Sequence, residues 1–384
     1  MSMPEAWRFE HCRAIKAAVN VPVISVGPVR WPEVAEAGLA AGDLDMVALG
    51  RPLLADPDWP RKAISGSTAA IRPCTNCNWC FDRVIHHQSI ACAENPSAGF
   101  ETRASKPADG TGRRAIVVGG GPGGMAAALD FAAAGFRTEL FESRPELGGG
   151  LIASATPPHK DKLFWYLDYL RARVLASSIV VHTGAAVQGS EILAMNPDVV
   201  VLATGAGVLD LPLRGAEGPN TVSAYALLMG EAKLPLPGSL PIVVYGGGET
   251  GCESAEFITA RGYQVVLVTR SPSRDLARSA EGMYRKHLRA RLLANPALTI
   301  RDNSTLTSIE DGCVRLVDPS GEHEIPMVCC VIAQGRQTGT ALSAALAAAH
   351  IPFALAGDVE NIGRIGDAVH AARRSVIELA SRQS

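Results

Sequence analysis

The sequence lacks the features that would place the protein in a membrane, in a secretion pathway or on a nucleic acid. Its 384 residues include no uninterrupted apolar run of about 18, the length needed to span a bilayer. The N-terminus is charged and has no apolar segment typical of a signal peptide. With 36 Lys and Arg against 38 Asp and Glu, no excess positive charge attracts nucleic acid or an anionic membrane. We therefore expect a cytoplasmic protein.

Composition instead indicates a folded chain of several domains. Hydrophobic residues make up 47% and charged residues 19% of the chain, which excludes intrinsic disorder. At about 150 residues per domain, the length predicts two or three domains with their own cores.

Four of the nine cysteines lie close together, which predicts a metal or cluster site rather than disulfides in a chain without a secretion signal. They are Cys74, Cys77, Cys80 and Cys92. Three ligands within seven residues favour a [4Fe–4S] cluster over structural zinc, which prefers two separated pairs. Zinc and unliganded thiols remain the alternatives. We interpret residues 67–110 as an irregular loop around the cluster, followed by a polar linker.

Residues 1–66 alternate between helical and strand patterns. Short apolar runs at 21–26 and 44–49 follow helical patterns at 5–19 and 32–41. Apolar strands alternating with helices predict a parallel sheet covered on both faces. Two such units cannot cover their own faces, so this stretch is predicted to be the end of a larger assembly.

The first glycine-rich loop is Gly119-x-Gly121-x-x-Gly124, placed between an apolar strand and a helix. The glycines allow a tight turn and the close approach of a pyrophosphate to the helix N-terminus. The next predicted strand ends at Glu142, where a carboxylate can bind the hydroxyls of an adenosine ribose. This pattern predicts a dinucleotide site.

The second loop, Gly246-x-Gly248-x-x-Gly251, has the same context. Its second strand ends at Thr269-Arg270 instead of at an acid. An acid would repel a 2′-phosphate and an arginine attracts one, so we predict that Arg270 favours NADPH over NADH. The alternative is a merely solvated arginine.

Two more segments fit a flavin site. The apolar strand at 198–203 ends in small residues, and Asp358 follows the last apolar strand at 351–356. We predict that this last strand returns to complete the first nucleotide-binding unit. The domains are then 111–235 plus 331–384, binding FAD, and the inserted 236–330, binding NAD(P)H.

Together these motifs resemble the multi-domain NADH:flavin oxidoreductases that include 2,4-dienoyl-CoA reductase, trimethylamine dehydrogenase and old yellow enzyme-like proteins. The matching segments, in chain order, are VPVISVG, LDMVALGRPLLADPDWP, CTNCNWC with CAENP, VVGGGPGGM, LATG, YGGGETGCE and AGDVENIGRIGDAVHAARR. The resemblance implies an α/β chain with the C-terminal fragment of an FMN-binding (βα)8 barrel (TIM barrel) at 1–66, an iron–sulfur loop and two Rossmann-like domains, the second inserted in the first.

The resemblance also assigns residues to each cofactor. It implies cluster ligation by the four clustered cysteines, whose spacing is closer to the amine dehydrogenase branch. The implied FAD contacts are Gly119, Gly121, Gly124, Glu142 and Asp358. FMN phosphate contacts would come from Gly27, Gly50 and Arg51, at the ends of the last two barrel strands.

The resemblance implies an oxidoreductase that passes electrons between NAD(P)H, FAD, a [4Fe–4S] cluster and FMN. Its substrate would be an enoyl compound, such as a 2,4-dienoyl-CoA, or an N-methylated amine. Alternatives are a stand-alone NAD(P)H–FAD electron-transfer subunit or diaphorase, and a non-catalytic fragment. The rest of the barrel would come from a partner chain or a second copy. No general acid or base is assigned, although His370 could approach the flavin.

Overall fold

A computed structural model describes residues 4–102, 107–339 and 341–382. The strands are β1 (Ile24–Val26), β2 (Met46–Ala48), β3 (Arg114–Val118), β4 (Arg137–Glu142), β5 (Val180–Thr183), β6 (Val199–Leu202), β7 (Ala206–Val208), β8 (Thr221–Ser223), β9 (Ile242–Tyr245), β10 (Val265–Val268), β11 (Leu298–Arg301), β12 (Thr305–Glu310), β13 (Cys313–Asp318), β14 (Gly321–Pro326), β15 (Cys329–Ile332), β16 (Arg336–Thr338) and β17 (Phe353–Leu355). The α-helices are α1 (Phe9–Lys16), α2 (Pro32–Ala40), α3 (Arg51–Ala55), α4 (Trp59–Ile64), α5 (Trp79–Ile85), α6 (Pro122–Ala133), α7 (Gly150–Ala155), α8 (Lys162–Leu175), α9 (Gly189–Ala194), α10 (Ala224–Leu228), α11 (Glu249–Thr259), α12 (Gly282–Leu293), α13 (Ala341–Ala348) and α14 (Ile365–Ser381).

The chain folds as two compact units. The described residues of 1–149, 162–205 and 340–384 form the first unit, and 150–161 with 206–339 form the second. The chain thus leaves the first unit twice. The second unit is wider than the predicted 236–330, because β8 joins its sheet beside β15.

The predicted alternation of helices and strands is present near the N-terminus. Strands β1 and β2 pair in parallel, with Ile24 opposite Met46. One face of this pair packs on a small core that contains Val23 and Leu44. Both strands are shorter than predicted, since only three residues of each pair across the sheet.

A five-stranded parallel sheet in the order β17-β6-β3-β4-β5 organises the rest of the first unit. All four residues of β6 are buried, as expected for an apolar strand covered on both faces. Strand β17 pairs with β6, so the end of the chain returns to this sheet. Helix α14 packs on α6, and an ion pair of 2.9 Å joins Arg373 to Asp130.

The second unit repeats this plan in a five-stranded parallel sheet of order β11-β10-β9-β15-β8. Strands β9 and β15 are fully buried. An antiparallel meander, β12-β13-β14, packs its apolar side against the sheet and was not predicted. A short antiparallel pair, β7 and β16, completes the unit.

The region predicted as an irregular loop contains a regular element. Helix α5 begins at Trp79, inside the cysteine motif. The predicted linker lies partly outside the described residues, because residues 103–106 are not among them. Across the described parts of the chain, no helix combines the length and the apolar character needed to cross a membrane.

Candidate functional site: two glycine loops and a cysteine loop

The first glycine loop follows β3, the strand at which the strand order of the first sheet switches from one side to the other. From β3 the chain continues to β4 on one side, and β6 lies on the other side. Ligands bind at such switch points, outside the carboxyl ends of the strands. Gly119 has φ +109°, and a Cβ there would lie 2.2 Å from the Ala203 carbonyl oxygen. A Cβ on Gly124 would lie 1.8 Å from the Gly119 oxygen. Only glycine fits these two positions.

The loop leaves the first turn of helix α6 accessible at the carboxyl end of the sheet. Gly121 precedes the helix, and a Cβ on it would meet only Gly149, at an ordinary 3.9 Å. The first N–H groups of a helix have no partner within it and attract anions. This cradle therefore fits a pyrophosphate.

The predicted carboxylates lie at the same sheet edge, because Glu142 ends β4 and Asp358 follows β17. Glu142 is buried, and its Oε2 accepts the Gly120 N–H at 2.7 Å. The other oxygen, Oε1, accepts the Arg144 N–H at 2.8 Å. Asp358 Oδ1 accepts the Gly363 N–H at 3.1 Å. Backbone N–H groups therefore orient both carboxylates.

The second glycine loop has the same geometry at the switch point between β9 and β15. Gly246 has φ +134°, and a Cβ there would lie 2.3 Å from the Ala333 oxygen. A Cβ on Gly251 would lie 1.8 Å from the Gly246 oxygen. A Cβ on Gly248 would have no heavy atom within 4 Å, so a ligand can approach the backbone there. Helix α11 begins at the next residue.

The residues after β10 distinguish the second loop from the first. Thr269 is buried, and its Oγ1 would lie 2.3 Å from a Cβ on Gly247. It therefore occupies the place that Glu142 takes beside Gly120. Arg270 is exposed, and its Nη2 donates to Gln334 Oε1 at 3.2 Å. The two loops thus offer different charges to a ribose.

The cysteine motif forms a compact turn followed by α5. Asn76 and Asn78 both have left-handed backbone, with φ of +56° and +63°, a conformation that asparagine tolerates well. Cys74 and Cys92 pack in one apolar cluster with Ala55. The structure therefore brings the distant fourth cysteine back to the motif.

Burial raises the pKa of Cys74 to about 12 and raises the pKa of Cys77 and Cys92 well above the ordinary range of a thiol. The nearby Glu94 carboxylate adds to this effect. Among the described residues, no three His, Cys, Asp or Glu side chains surround one point where a single metal ion would bind.

Glu94 was missed at the sequence level, although it belongs to the CAENP segment. Its side chain is buried, and its Oε2 accepts the Cys92 thiol at 3.1 Å. Its Oε1 accepts the Thr75 hydroxyl. Its position two residues after Cys92 was the available signal. This carboxylate is part of the immediate surroundings of the thiols.

The three residues predicted to contact FMN phosphate lie together at the carboxyl end of the β1–β2 pair. Gly27 directly follows β1, and Gly50 precedes α3, whose first residue is Arg51. The Nη1 of Arg51 donates to Asn78 Oδ1 at 2.7 Å. Arg51 therefore links the carboxyl end of the β1–β2 pair to the cysteine turn.

His370 lies beside the cysteine loop. Its Nε2 donates to the Cys92 carbonyl at 2.9 Å, and its ring makes an edge contact with Trp79. Burial lowers the pKa of His370 below its ordinary value. It also lines a cavity of about 550 Å³ together with Phe100 and Arg374. The structure therefore connects α14 to the backbone of a cysteine.

Comparison with known proteins identifies two families that match this chain. Residues 113–369 match the pyridine nucleotide-disulphide oxidoreductase family. The chain belongs to this family. Residues 2–69 match the NADH:flavin oxidoreductase / NADH oxidase family, which confirms the resemblance found from the motifs.

The curated relative described next is longer than this chain. NADH oxidase of Thermoanaerobacter brockii is 35% identical over 370 residues, which cover 95% of this chain and 56% of that protein. The chain thus spans about half the length of this curated relative.

Two solved structures show the same fold. A 2-naphthoyl-CoA reductase has a TM-score of 0.90 at 23% identity, over 98% of this chain and 57% of the other. Histamine dehydrogenase from Rhizobium sp. 4-9 has a TM-score of 0.81 at 22% identity, over 96% and 60%. At these identities the likeness concerns the fold alone.

Proposed function

We propose that this chain is the electron-transfer part of an NAD(P)H-dependent flavin and iron–sulfur oxidoreductase. The observation that supports this most is the pair of glycine loops, equivalent in geometry and different in charge. One loop carries a buried acid, and the other carries threonine followed by arginine. Two dinucleotides of different kinds are the simplest ligands for such a pair.

In the first unit, the residues present fit FAD. The cradle around Gly121 would hold the pyrophosphate, Glu142 the adenosine ribose, and Asp358 the ribityl hydroxyls. In the second unit, the cradle around Gly248 would hold the pyrophosphate of NAD(P)H, and Arg270 would attract a 2′-phosphate. Bound FAD would take hydride from NAD(P)H, since the cofactor carries the chemistry and the chain positions it.

The four clustered cysteines are proposed to hold a [4Fe–4S] cluster, which would carry single electrons away from the flavin. Four thiols, one buried and three partly buried, are a donor set that suits iron–sulfur ligation. Glu94 and the backbone contact of His370 would position the loop. The chain's contribution here is orientation and the exclusion of water.

FMN and a substrate require more of a barrel than β1 and β2 supply. Gly27, Gly50 and Arg51 would contribute part of an FMN phosphate site, completed by strands from further sequence, a partner chain or a second copy. The proposed substrate is an enoyl compound or an N-methylated amine, because the motifs of this chain resemble those of 2,4-dienoyl-CoA reductase and trimethylamine dehydrogenase.

A stand-alone NAD(P)H–FAD electron-transfer subunit or diaphorase is the second candidate. It is favoured by the presence of both complete glycine loops within this chain. Reduction of a dye by NADPH in the absence of FMN would support this candidate.

Cofactor content of anaerobically purified protein tests the proposal. Acid-released flavin is identified by chromatography, and iron and labile sulfide are quantified. We expect FAD with about four irons per chain. Stoichiometric FMN as well would mean that the barrel is completed. Absence of both flavin and iron would refute the proposal.

A further inference from the structure

A hydrogen bond crosses the second glycine loop and joins two side chains that come from strands on either side of it. Arg270 follows β10 and Gln334 follows β15, and the strand that leads into the loop, β9, lies between these two strands. Arg270 Nη2 donates to Gln334 Oε1 at 3.2 Å. The two side chains therefore meet across the carboxyl end of β9.

The register of the sheet fixes how far this bond has to reach. Val268 of β10 and Ile332 of β15 both lie opposite Tyr245 of β9. The two bonded side chains each belong to a residue two positions beyond this row. Neighbouring strands lie about 4.8 Å apart, so β10 and β15 are separated by about 10 Å. A long arginine and a glutamine together can span that distance, and shorter side chains cannot.

The first unit has short side chains at the equivalent positions. Phe141 and Leu202 lie opposite each other across β3, and Ser143 and Thr204 stand two positions beyond them. Neither of these two side chains is long enough to cross the loop. Ser143 Oγ donates instead to the neighbouring Glu142 Oε1 at 3.2 Å. The bridge is thus particular to the second loop and is not required by the strand–glycine–helix plan.

The bridge lies where a dinucleotide would bind. In such a unit the pyrophosphate lies beyond the carboxyl end of the central strand, against the start of the following helix. The backbone leaves room there, since a Cβ on Gly248 would have no heavy atom within 4 Å. The Arg270 side chain reaches over this end of the sheet. A bound pyrophosphate would therefore displace it from Gln334.

We propose that Arg270 and Gln334 form a latch across the second glycine loop, which a nicotinamide dinucleotide opens when its pyrophosphate binds. Gln334 is a positioning residue, because it acts on the ligand only by holding Arg270. A 2′-phosphate would give the released guanidinium a stronger, charged partner than the amide oxygen of Gln334. This inference rests on the proposed function, since it assumes that the second loop binds NAD(P)H. It adds control of access to that site.

The test measures the Kd of NAD⁺ and of NADP⁺ for the purified chain with its cofactors. The variant Q334A removes the acceptor, and Q334N keeps the amide but shortens the side chain by one carbon. We expect Q334A to lower both Kd values about two- to fivefold, the effect of one exposed hydrogen bond that no longer holds the site closed. Q334N should change both values in the same direction. Damage to the fold would weaken binding instead of tightening it.

The effect of Gln334 should depend on Arg270. We expect R270A and R270A/Q334A to have the same Kd for NAD⁺, because the two side chains act as one unit and their effects are not additive. The matched control is Q337A, which removes another glutamine of the second unit, whose Nε2 lies 3.5 Å from Asp210 Oδ2. It should leave both Kd values unchanged. Thermal unfolding reports whether each variant is folded.

The outcomes separate this inference from the proposed function. A wild-type chain that binds neither NAD⁺ nor NADP⁺ would refute nicotinamide binding itself. Where the wild-type chain binds them, an unchanged or weaker Kd for folded Q334A would refute the latch and leave the proposed function standing. A further gain from Q334A in the R270A background would show that Gln334 acts on the ligand without Arg270, which would also refute the latch.

Discussion

At the scale of single residues, the position after the second strand decides what each loop offers to a ribose. Glu142 and Thr269 occupy this position in the first and second unit. Glu142 accepts the Gly120 N–H, and Thr269 lies against Gly247. The carboxylate can accept two ribose hydroxyls, whereas the threonine leaves room for a phosphate. Substitution of the residue at each position tests what the loop binds.

Replacing Glu142 by alanine should release FAD. Hydrogen bonds to a charged group contribute about 1.5–3 kcal/mol, so Kd should rise about 10- to 150-fold. Flavin retained after gel filtration and the Kd from re-titration with FAD measure this. Glu146→Ala removes an exposed acid nearby and should retain flavin. Equal flavin content in both variants would contradict the role of Glu142.

Replacing Thr269 and Arg270 together should change the preference between nicotinamides. In T269E/R270A an acid takes the place that Glu142 has in the first unit, where it would bind ribose hydroxyls and repel a 2′-phosphate. We expect the ratio of kcat/KM for NADPH to that for NADH to fall at least tenfold. Arg315→Ala removes the same charge from β13, outside the glycine loop, and should leave the ratio unchanged. A wild-type ratio below one would already contradict the predicted preference.

At the scale of elements, each strand–glycine–helix unit contains two kinds of glycine. One kind is required by the packing of the protein itself, and the other leaves space in which a ligand could bind. Gly251 is required by the fold, because its Cα faces the Gly246 oxygen. Gly248 is surrounded by open space and has ordinary backbone angles. A methyl group added at Gly248 would therefore clash with a ligand bound there but would not contact the protein.

Gly248→Ala should raise KM for NADPH at least tenfold while costing at most about 1 kcal/mol of stability as a helix cap. Gly282→Ala is the matched control, since it also has open space at the start of a helix in the same unit. Gly251→Ala should instead destabilise the unit. Thermal unfolding and steady-state kinetics distinguish the three. A folded G248A with unchanged KM would place the pyrophosphate elsewhere.

The same elements show what the sequence can and cannot predict. The glycine loops and buried strands were predictable, because turn geometry and continuous apolar runs are local properties. Helix α5 was not, since a seven-residue helix that begins inside a cysteine motif carries too short a pattern. Strand β8 joins the second sheet through pairing with β15, a contact over a hundred positions away. The approach of Lys160 to Glu253 is equally non-local.

At the scale of the whole molecule, none of the described residues covers one face of the β1–β2 pair. Ile24, Val26 and Met46 lie on the same side of the β1–β2 pair, and all three are exposed. The opposite side packs on its own small core. Exposed apolar strands of this kind mark an interface or an aggregation site. Further strands of a barrel would cover this face.

The isolated chain should therefore associate through this face. I24K/V26K places two charges on it, and lysine on an open strand prevents pairing with other strands. We expect wild-type protein to sediment as a larger species and the variant as a monomer, with FAD and NADPH binding unchanged. Ile64→Lys alters another exposed apolar residue, on α4, and should leave association as in wild type. A monomeric wild-type chain would mean that β1 and β2 are stable uncovered, and the case for a barrel-completing partner would then rest on the relatives alone.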